Sequence, residues 1–445
     1  MTAMPVVTLA EWQARAGGVE RRFSIPEPDA RTRAQLNALF GRDISAADAV
    51  REIVADVRDR GDAAVQEWTE RIDGVHVEAT RANPAWMAEC WTSLDRGLRN
   101  ALTAAAERIR TFHDLQVDVR LRGEPSLCLR PEPLRRVGCY VPGGRAAYPS
   151  TVLMSVIPAQ SAGVESLAIT SPATPDGGVH PLVGAAAHLL GVSEVHAVGG
   201  AQAIAALAHG TATIAAVDKV VGPGNLFVTL AKREVFGVVD IDQLAGPSEI
   251  MVIASAGADP GHIAADLISQ LEHDPLAWAV CVTDSAALAE EVRLTFDRVA
   301  PGAARAGIIA ESAGRHGAVV MVDDLDEALA AAAAFAPEHL SLQGAAAESL
   351  RDRVRGAGAV FCGTLSPVSM GDYVAGPNHT LPTQGAARYR GPLAVMDFIR
   401  WPSVVHLSKA EFDALAPVAI CLAEAEGLAA HERAIRTRLR VRQES

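Results

Sequence analysis

Aromatic side chains are scarce in this sequence, only 4% of its 445 residues, although hydrophobic residues reach 49%. Ala and Val carry much of the apolar content instead, which suits helices packed closely on sheets. The six cysteines (Cys90, Cys128, Cys139, Cys281, Cys362 and Cys421) form no CxxC pair. That spacing excludes a zinc site built from paired cysteines, and it reads as free thiols in a reducing compartment rather than a disulfide frame. No uninterrupted apolar run approaches the ~20 residues of a membrane helix. The opening MTAMPVVTLAEWQARAGG lacks the basic-then-apolar design of a secretion signal. The formal net charge is −13, with basic residues scattered, and a nucleic-acid surface needs a basic stripe. The expectation is a cytoplasmic protein that binds neither membrane nor nucleic acid.

The length exceeds the ~250–300 residues at which single cores stop growing, so two major domains are expected. From Arg136 onward, β-branched runs alternate with helical spacing. Expected strands are 137–141, 166–170, 195–198, 219–221, 249–254, 278–283 and 319–322, with helices between them. Such alternation means right-handed βαβ units and parallel sheets. The fold class is α/β: two Rossmann-like parallel-sheet domains with helices on both faces, a small N-terminal arm and a helical C-terminal segment. The expected boundaries are 1–30 for the arm, 137–248 for one α/β domain, 31–136 with 249–392 for a discontinuous second, and 393–445 for the C-terminal segment. Val117 to Leu129 reads as charged and extended.

Three strand-to-helix turns carry glycine: VPGG at 141–144, VGGAQA at 198–203 and VGPGN at 221–225. Glycine lets the backbone approach a ligand, and the helix N-terminus that follows favours anions such as a pyrophosphate. None matches G-x-G-x-x-G, and no acidic ribose-binding residue can be placed. Singly, each is an ordinary tight turn. Together on one sheet they point to a dinucleotide, with Tyr140, Gln202 and Asn225 as polar or stacking handles.

The stretch 242–275, DQLAGPSEIMVIASAGADPGHIAADLISQLEHDP, runs from a turn through a buried strand into a helix. Gln270 and His273 lie three apart near the helix end and share a face. Glu338-His339 pairs a carboxylate with an imidazole, groups able to hold water and accept protons near neutral pH. Asp372 and His379 sit in a loop rich in Gly and Pro, and Glu426 and His431 on a mostly apolar helix. Gln270, His273, Asp372 and His431 offer N and O ligands of the kind zinc accepts. Each stretch has a plainer reading as a solvated loop or helix end, and no spacing rule selects so scattered a set.

The assembled motifs resemble the histidinol dehydrogenase family along nearly the whole chain. The stretches are RVGCYVPGG, YPSTVLMSVIPAQSAGV, AVGGAQAIAALAHG, VVGPGNLFVTLAKREVFG, DQLAGPSEIMVIA, DLISQLEHDP, FAPEHL, MGDYVAGPNHTLPT and AEGLAAH. The resemblance implies zinc ligands at Gln270, His273, Asp372 and His431, a catalytic pair at Glu338 and His339, and NAD contacts at Tyr140, Gln202 and Asn225. It places substrate contacts at Ser248, His379 and Glu426, beside His339 and the metal ligands. It also implies a homodimer whose C-terminal segment reaches the partner's active site. The implied reaction is zinc-dependent oxidation of L-histidinol to L-histidine with two NAD, the last step of histidine synthesis. Cousins within the family oxidise other small alcohols such as sulfopropanediol, and they carry basic residues after the LPT motif. Arg388 and Arg390 occupy that loop here, whereas Glu426 favours a cationic substrate. A zinc-dependent hydrolase without NAD and a non-catalytic homologue are the remaining alternatives; the glycine turns weigh against the first and the intact site positions against the second.

Overall fold

The computed structural model describes residues 4–15, 25, 27–117, 127–143 and 147–440. By its internal contacts the chain separates into a large unit, Met1–Val117 with Leu134–Phe398, and a small unit, Asp118–Pro133 with Ile399–Ser445.

The large unit holds two parallel sheets. The smaller has five strands in the order Val195–Ala197, Ser166–Ser171, Arg136–Tyr140, Lys219–Val221, Asp240–Ile241. Chain order runs outward from Arg136–Tyr140 in one direction and then jumps back, so it reverses between that strand and Lys219–Val221. The larger has six strands in the order Val6–Thr8, Gly317–Met321, Trp278–Thr283, Glu249–Ala254, His339–Gln343, Ala359–Cys362. Its order reverses between Glu249–Ala254 and His339–Gln343. Every residue of Glu249–Ala254 is buried, as expected for a central parallel strand covered on both faces. One apolar cluster on this sheet joins Ile250, Val252 and Cys281 to Ile263 and Leu267; the other joins Met251, Ile253 and Val280 to Trp12, Phe335 and Leu340.

The α/β expectation therefore holds, and the seven expected strands fall within one or two residues of their places, whereas Asp240–Ile241, His339–Gln343 and Ala359–Cys362 are strands that were not expected. Two organisational expectations need correction. The N-terminal segment is more than an arm. Val6–Thr8 pairs in parallel with Val319–Met321 at the edge of the large sheet, and Trp12 of helix Leu9–Arg15 stacks at a tilt on Phe335, ring centroids 5.4 Å apart. Burying Met4 and Trp12 ties this segment to the core. Second, the helices between residues 30 and 117 pack mainly on the small sheet rather than forming one domain with residues 249–392, which helix Arg96–Asp114 touches at 374–376. Val50, Ile53, Val57 and Trp68 share a core with Ile204, Leu207 and Val228, while Met87, Leu102 and Ile109 pack with Val137, Cys139 and Val152.

The small unit contains two antiparallel ribbons, Leu127–Leu129 with Ser403–Val405 and Glu132–Pro133 with Ile399–Arg400. Its helices Lys409–Ala425 and Ala429–Arg440 pack on each other, joined by an Arg436–Glu424 ion pair at 2.7 Å. It begins at Ile399 rather than at 393. The expected extended stretch 117–129 falls mostly outside the described residues, as does Gly144. All six cysteines are free, and no described helix is long and apolar enough to cross a membrane.

Candidate active site

Helix Pro260–Leu271 starts where Asp259 accepts the Gly261 N–H, with Pro260 in the first turn, where no intrahelical donor is required. It follows strand Glu249–Ala254, so it runs back alongside the sheet, and its last turn lies at the amino ends of the large-sheet strands. Gln270 is buried there, its Nε2 without a partner among the described residues. His273 lies one turn further on.

Ser248, Glu338 and His339 sit at the same ends. Glu338 is reached through Ala336, a residue in the left-handed region (φ 53°) that ends helix Leu325–Phe335 and turns the chain into strand His339–Gln343. Both hydrogen bonds to the Glu338 carboxylate fall on Oε2: the Ser248 hydroxyl donates at 2.5 Å and the Glu249 N–H at 2.8 Å. That leaves Oε1 to act. Burial pushes the Glu338 pKa up to about 8 against these two donors, and the negative charge of Asp372 adds to the rise.

His339 Nδ1 lies 2.9 Å from the Glu249 carbonyl oxygen. A carbonyl only accepts, so Nδ1 carries the proton and the neutral ring presents Nε2 as a base. His379 repeats the device, its Nδ1 2.9 Å from the Asp372 carbonyl. Burial lowers the pKa of His273, His339 and His379, while the Asp372 carboxylate opposes the effect at all three. Asp372 is carried by the short helix Val368–Tyr373, which approaches the sheet because Gly371 has no side chain: a Cβ there would lie 2.7 Å from the Phe361 ring. Phe361 in turn lies with its centroid 6.0 Å from that of His339.

The small sheet meets this site by its opposite ends. Strand Asp240–Ile241 leaves the small sheet at its carboxyl end, and after the seven residues 242–248 Glu249 enters the large sheet at its amino end. A cavity of about 160 Å³ lies at this meeting, with Gly222, Pro223 and Gly224 of the VGPGN turn on its wall together with Ser248, Glu338 and His379. Gly222 has φ +116° and packs so closely on the Tyr140 carbonyl that a Cβ would collide with it. Behind it the buried Lys232 ammonium pairs with Asp242 and donates to the Gly222 carbonyl at 2.8 Å, while Asp242 accepts the Gly222 N–H at 2.7 Å. The LPTQ segment closes the far wall, the Thr383 hydroxyl accepting the Gly246 N–H at 2.7 Å and the Gln243 amide donating to the Leu381 carbonyl at 2.6 Å.

The expected cofactor handles lie at the carboxyl edge of the small sheet. Tyr140 is buried, its hydroxyl accepting the Gly200 N–H at 3.3 Å and its pKa pushed up to about 12 by burial. Gln202 is wholly buried with neither amide atom partnered among the described residues, which marks an unfilled polar demand. Asn225 caps helix Leu226–Val235, its Oδ1 accepting from the N–H groups of Phe227 and Val228 at 3.0 and 3.2 Å.

Glu426 and His431 belong to the small unit, Glu426 capping helix Lys409–Ala425 and His431 on helix Ala429–Arg440, both exposed within it. Among the described residues no three His, Cys, Asp or Glu side chains gather around a common metal position. The large unit contributes His273 and Asp372 to the expected ligand set, beside an unpartnered buried amide at Gln270. A neutral imidazole, a carboxylate and an amide suit a borderline cation such as zinc, so these residues fit the group.

The histidinol dehydrogenase family model matches residues 41–439, nearly the whole chain. The chain belongs to the histidinol dehydrogenase family. It is 48% identical over 391 residues to the histidinol dehydrogenase of Parasynechococcus marenigrum, covering 87% of this chain and 90% of that protein. It is 44% identical over 439 residues to that of Chromobacterium violaceum, covering 94% and 98%. The crystal structure of the Elizabethkingia anophelis histidinol dehydrogenase superposes with a TM-score of 0.88 at 30% identity, covering 98% of both chains.

Contributors that the sequence reading did not single out are the Lys232–Asp242 pair and the Thr383 and Gln243 side chains, which lie inside the stretches that carry the family resemblance, and Phe361, which lies outside them. One signal was available for the first. Lys232 is a cation on the buried face of helix Leu226–Val235, beside Val228, Ala231 and Val235, and a buried lysine requires a partner.

Proposed function

We propose that the protein oxidises L-histidinol to L-histidine through the aldehyde, the last step of histidine biosynthesis, with NAD as oxidant and zinc as resident ion. The observation that carries this reading is the shared cavity, which sets a glycine turn fit for a dinucleotide against Glu338, Ser248 and His379. Gln270, His273 and Asp372 would hold zinc with His431, and Tyr140, Gln202 and Asn225 would receive NAD. When bound, NAD supplies the hydride acceptor, and zinc supplies charge and orientation for the substrate's imidazole and amine. His339 Nε2 takes the proton of the substrate hydroxyl. Glu338 Oε1 orients water and removes its proton as the water adds to the aldehyde; a pKa raised toward 8 suits a base for that step. Ser248 and the Glu249 amide fix the other oxygen of Glu338 throughout. His379 and Glu426 complete the substrate pocket, Glu426 offering a negative charge to the ammonium.

The protein would act as a homodimer whose residues 399–445 bring Glu426 and His431 to the partner's site. In support, helix Lys409–Ala425 exposes Leu415, Val418 and Leu422 at 51%, 59% and 58%, an apolar row at helical spacing. The cytoplasm suits a soluble NAD pool and six free thiols. The two arginines after the LPT motif give little support to an acidic substrate. Arg388 donates to the carbonyls of Gly385 and Ala334, and Arg390 lines a separate cavity with Phe236 and Tyr389.

The test is to mix zinc-loaded protein with L-histidinol and NAD, follow reduced nicotinamide by absorbance and measure histidine. Two reduced cofactors per histidine are expected, since the alcohol and the hydrated aldehyde each lose a hydride. Turnover of a sulfonated or neutral diol, with none of histidinol, would overturn the substrate and keep the site.

A further inference from the structure

A dinucleotide fold commonly places an acid at the end of its second strand to receive ribose hydroxyls. Here Ser166–Ser171 ends in Ser171-Pro172, and the acids nearby are engaged. Asp176 accepts the Thr174 hydroxyl at 2.5 Å, and Glu194 is held by Arg136 and His196. The position is empty in the sequence, but the fold brings a carboxylate to it from elsewhere.

Helix Asp62–Asp73 packs on helix Gly200–His209. Its first residue, Asp62, accepts the hydroxyl of Thr213 at 2.8 Å, four residues past the end of that second helix. The two helices are therefore antiparallel and of similar length, about 18 and 15 Å. The last residue, Asp73, consequently lies by the Gly199-Gly200 turn at the start of Gly200–His209. The following segment gives the same placement independently. The Ala82 N–H donates to the Val195 carbonyl at 2.8 Å and the Ala197 N–H to the Thr80 carbonyl at 2.7 Å, so residues 82 to 80 climb antiparallel along the edge strand. Residues before Thr80 lie past its carboxyl end, where the His76 carbonyl meets Gly177, a Cβ on which would be 3.0 Å away.

Asp73 has no hydrogen bond or ion pair among the described residues, and it ends a helix, where the dipole disfavours an acid. Though exposed, it lies near enough to the protein for neighbouring atoms to raise its pKa by partial dehydration, and its charge is felt at Tyr140. The carboxylate is solvent-exposed and unpartnered among the described residues, open to a ligand at the turn. The same turn holds the second orphan, the buried amide of Gln202. The turn that joins the reaction cavity, Gly222–Gly224, follows Lys219–Val221, three strands away from Val195–Ala197, roughly 14 Å at the usual strand spacing. The nicotinamide end belongs at the cavity, so the Gly199-Gly200 turn falls to the adenosine half.

We propose that Asp73 receives the adenosine ribose hydroxyls of the dinucleotide and so sets the preference for NAD over its 2′-phosphorylated form. The inference rests on the NAD reading above. The carboxylate accepts from the 2′- and 3′-hydroxyls, and a 2′-phosphate would bring like charges together.

The test is calorimetric titration of full-length wild type, Asp73→Asn and Asp73→Ser with NAD, NADP and NAD lacking the adenosine 2′-hydroxyl. Both variants should unfold at the wild-type temperature. They should bind NAD roughly 10- to 100-fold more weakly, the worth of hydrogen bonds to a charged group. The deoxy analogue should lose much less, and the discrimination against NADP should shrink about tenfold or more. Unchanged NAD affinity in both variants, or equal losses for NAD and the deoxy analogue, would overturn the role of Asp73 alone. A wild type that binds no dinucleotide would overturn the NAD reading with it.

Discussion

The two sheets of the large unit present opposite ends to one cavity. The small sheet offers the carboxyl ends of its strands, where glycine turns lead into helix N-termini and the backbone itself attracts anions. The large sheet offers amino ends, lined by side chains suited to acid–base work and metal ligation: Glu338 and His339 entering a strand, Ser248 entering another, Gln270 and His273 at the end of a helix. Backbone groups can serve a cofactor that many proteins share, whereas acid–base work and metal ligation require side chains of chosen type. The residues 242–248 between Asp240–Ile241 and Glu249–Ala254 let the chain pass from one kind of edge directly to the other.

The sharpest test of that division is His339→Asn. Loss of the base should lower turnover with histidinol roughly 10²- to 10⁴-fold. Reduced-nicotinamide binding to the small sheet, followed by fluorescence titration, should stay near wild type. Comparable losses in both measurements would mean that the two edges do not divide the work.

Next in size is the Lys232–Asp242 pair behind the Gly222 turn. Lys232→Met leaves a buried carboxylate unpaired and should destabilise the protein by about 3–5 kcal/mol in urea unfolding. Lys232→Met with Asp242→Asn removes both charges and should recover much of that loss. If the single variant were as stable as wild type, the pair would have no part in holding the cofactor edge.

What could be read from the sequence follows the same division. The glycine turns and the β-branched strands that alternate with helices were legible because local chemistry dictates them, whereas His339–Gln343 and Ala359–Cys362 were missed. The strand Val6–Thr8 was not, since three residues are too few to establish a period, and its partner Val319–Met321 lies more than 300 positions away. Helices 30–117 could not be assigned to a sheet because an apolar stripe says that a helix is covered, not by what. The proposed Gln270, His273 and Asp372 set rests on resemblance to a family rather than on spacing, since no spacing rule spans a gap of about a hundred residues. Phe361 and Asp73 had no motif to declare them, and Lys232 sat inside one without a role assigned to it.

The amino edge should also register in stability against pH. A carboxyl held near 8 in the folded protein and near its ordinary value when unfolded keeps its proton longer in the native state. Stability is then present in full below about pH 4.5 and is lost as pH rises toward 8. In metal-free protein, wild type should lose stability relative to Glu338→Gln as urea unfolding is repeated from pH 5 to pH 8, by up to a few kcal/mol. Parallel curves for the two proteins would mean that Glu338 is ionised at neutral pH and is no poised base.

The smallest expected effect falls on the cofactor edge, at Asn225. Its Oδ1 serves the helix by capping two amides, and its Nδ2 is the group left to serve a ligand. Asn225→Ala should cost about 1 kcal/mol of stability, the usual worth of a cap. Asn225→Asp keeps the capping oxygen and adds a charge that the helix N-terminus favours, so its stability should match wild type. It removes the Nδ2 donor and sets a negative charge beside the place proposed for a pyrophosphate, so its NAD affinity should fall in calorimetry while the fold is untouched. An Asp variant that kept both stability and affinity would make Asn225 a helix cap only, and the cofactor edge would then rest on its backbone amides, Tyr140 and Gln202.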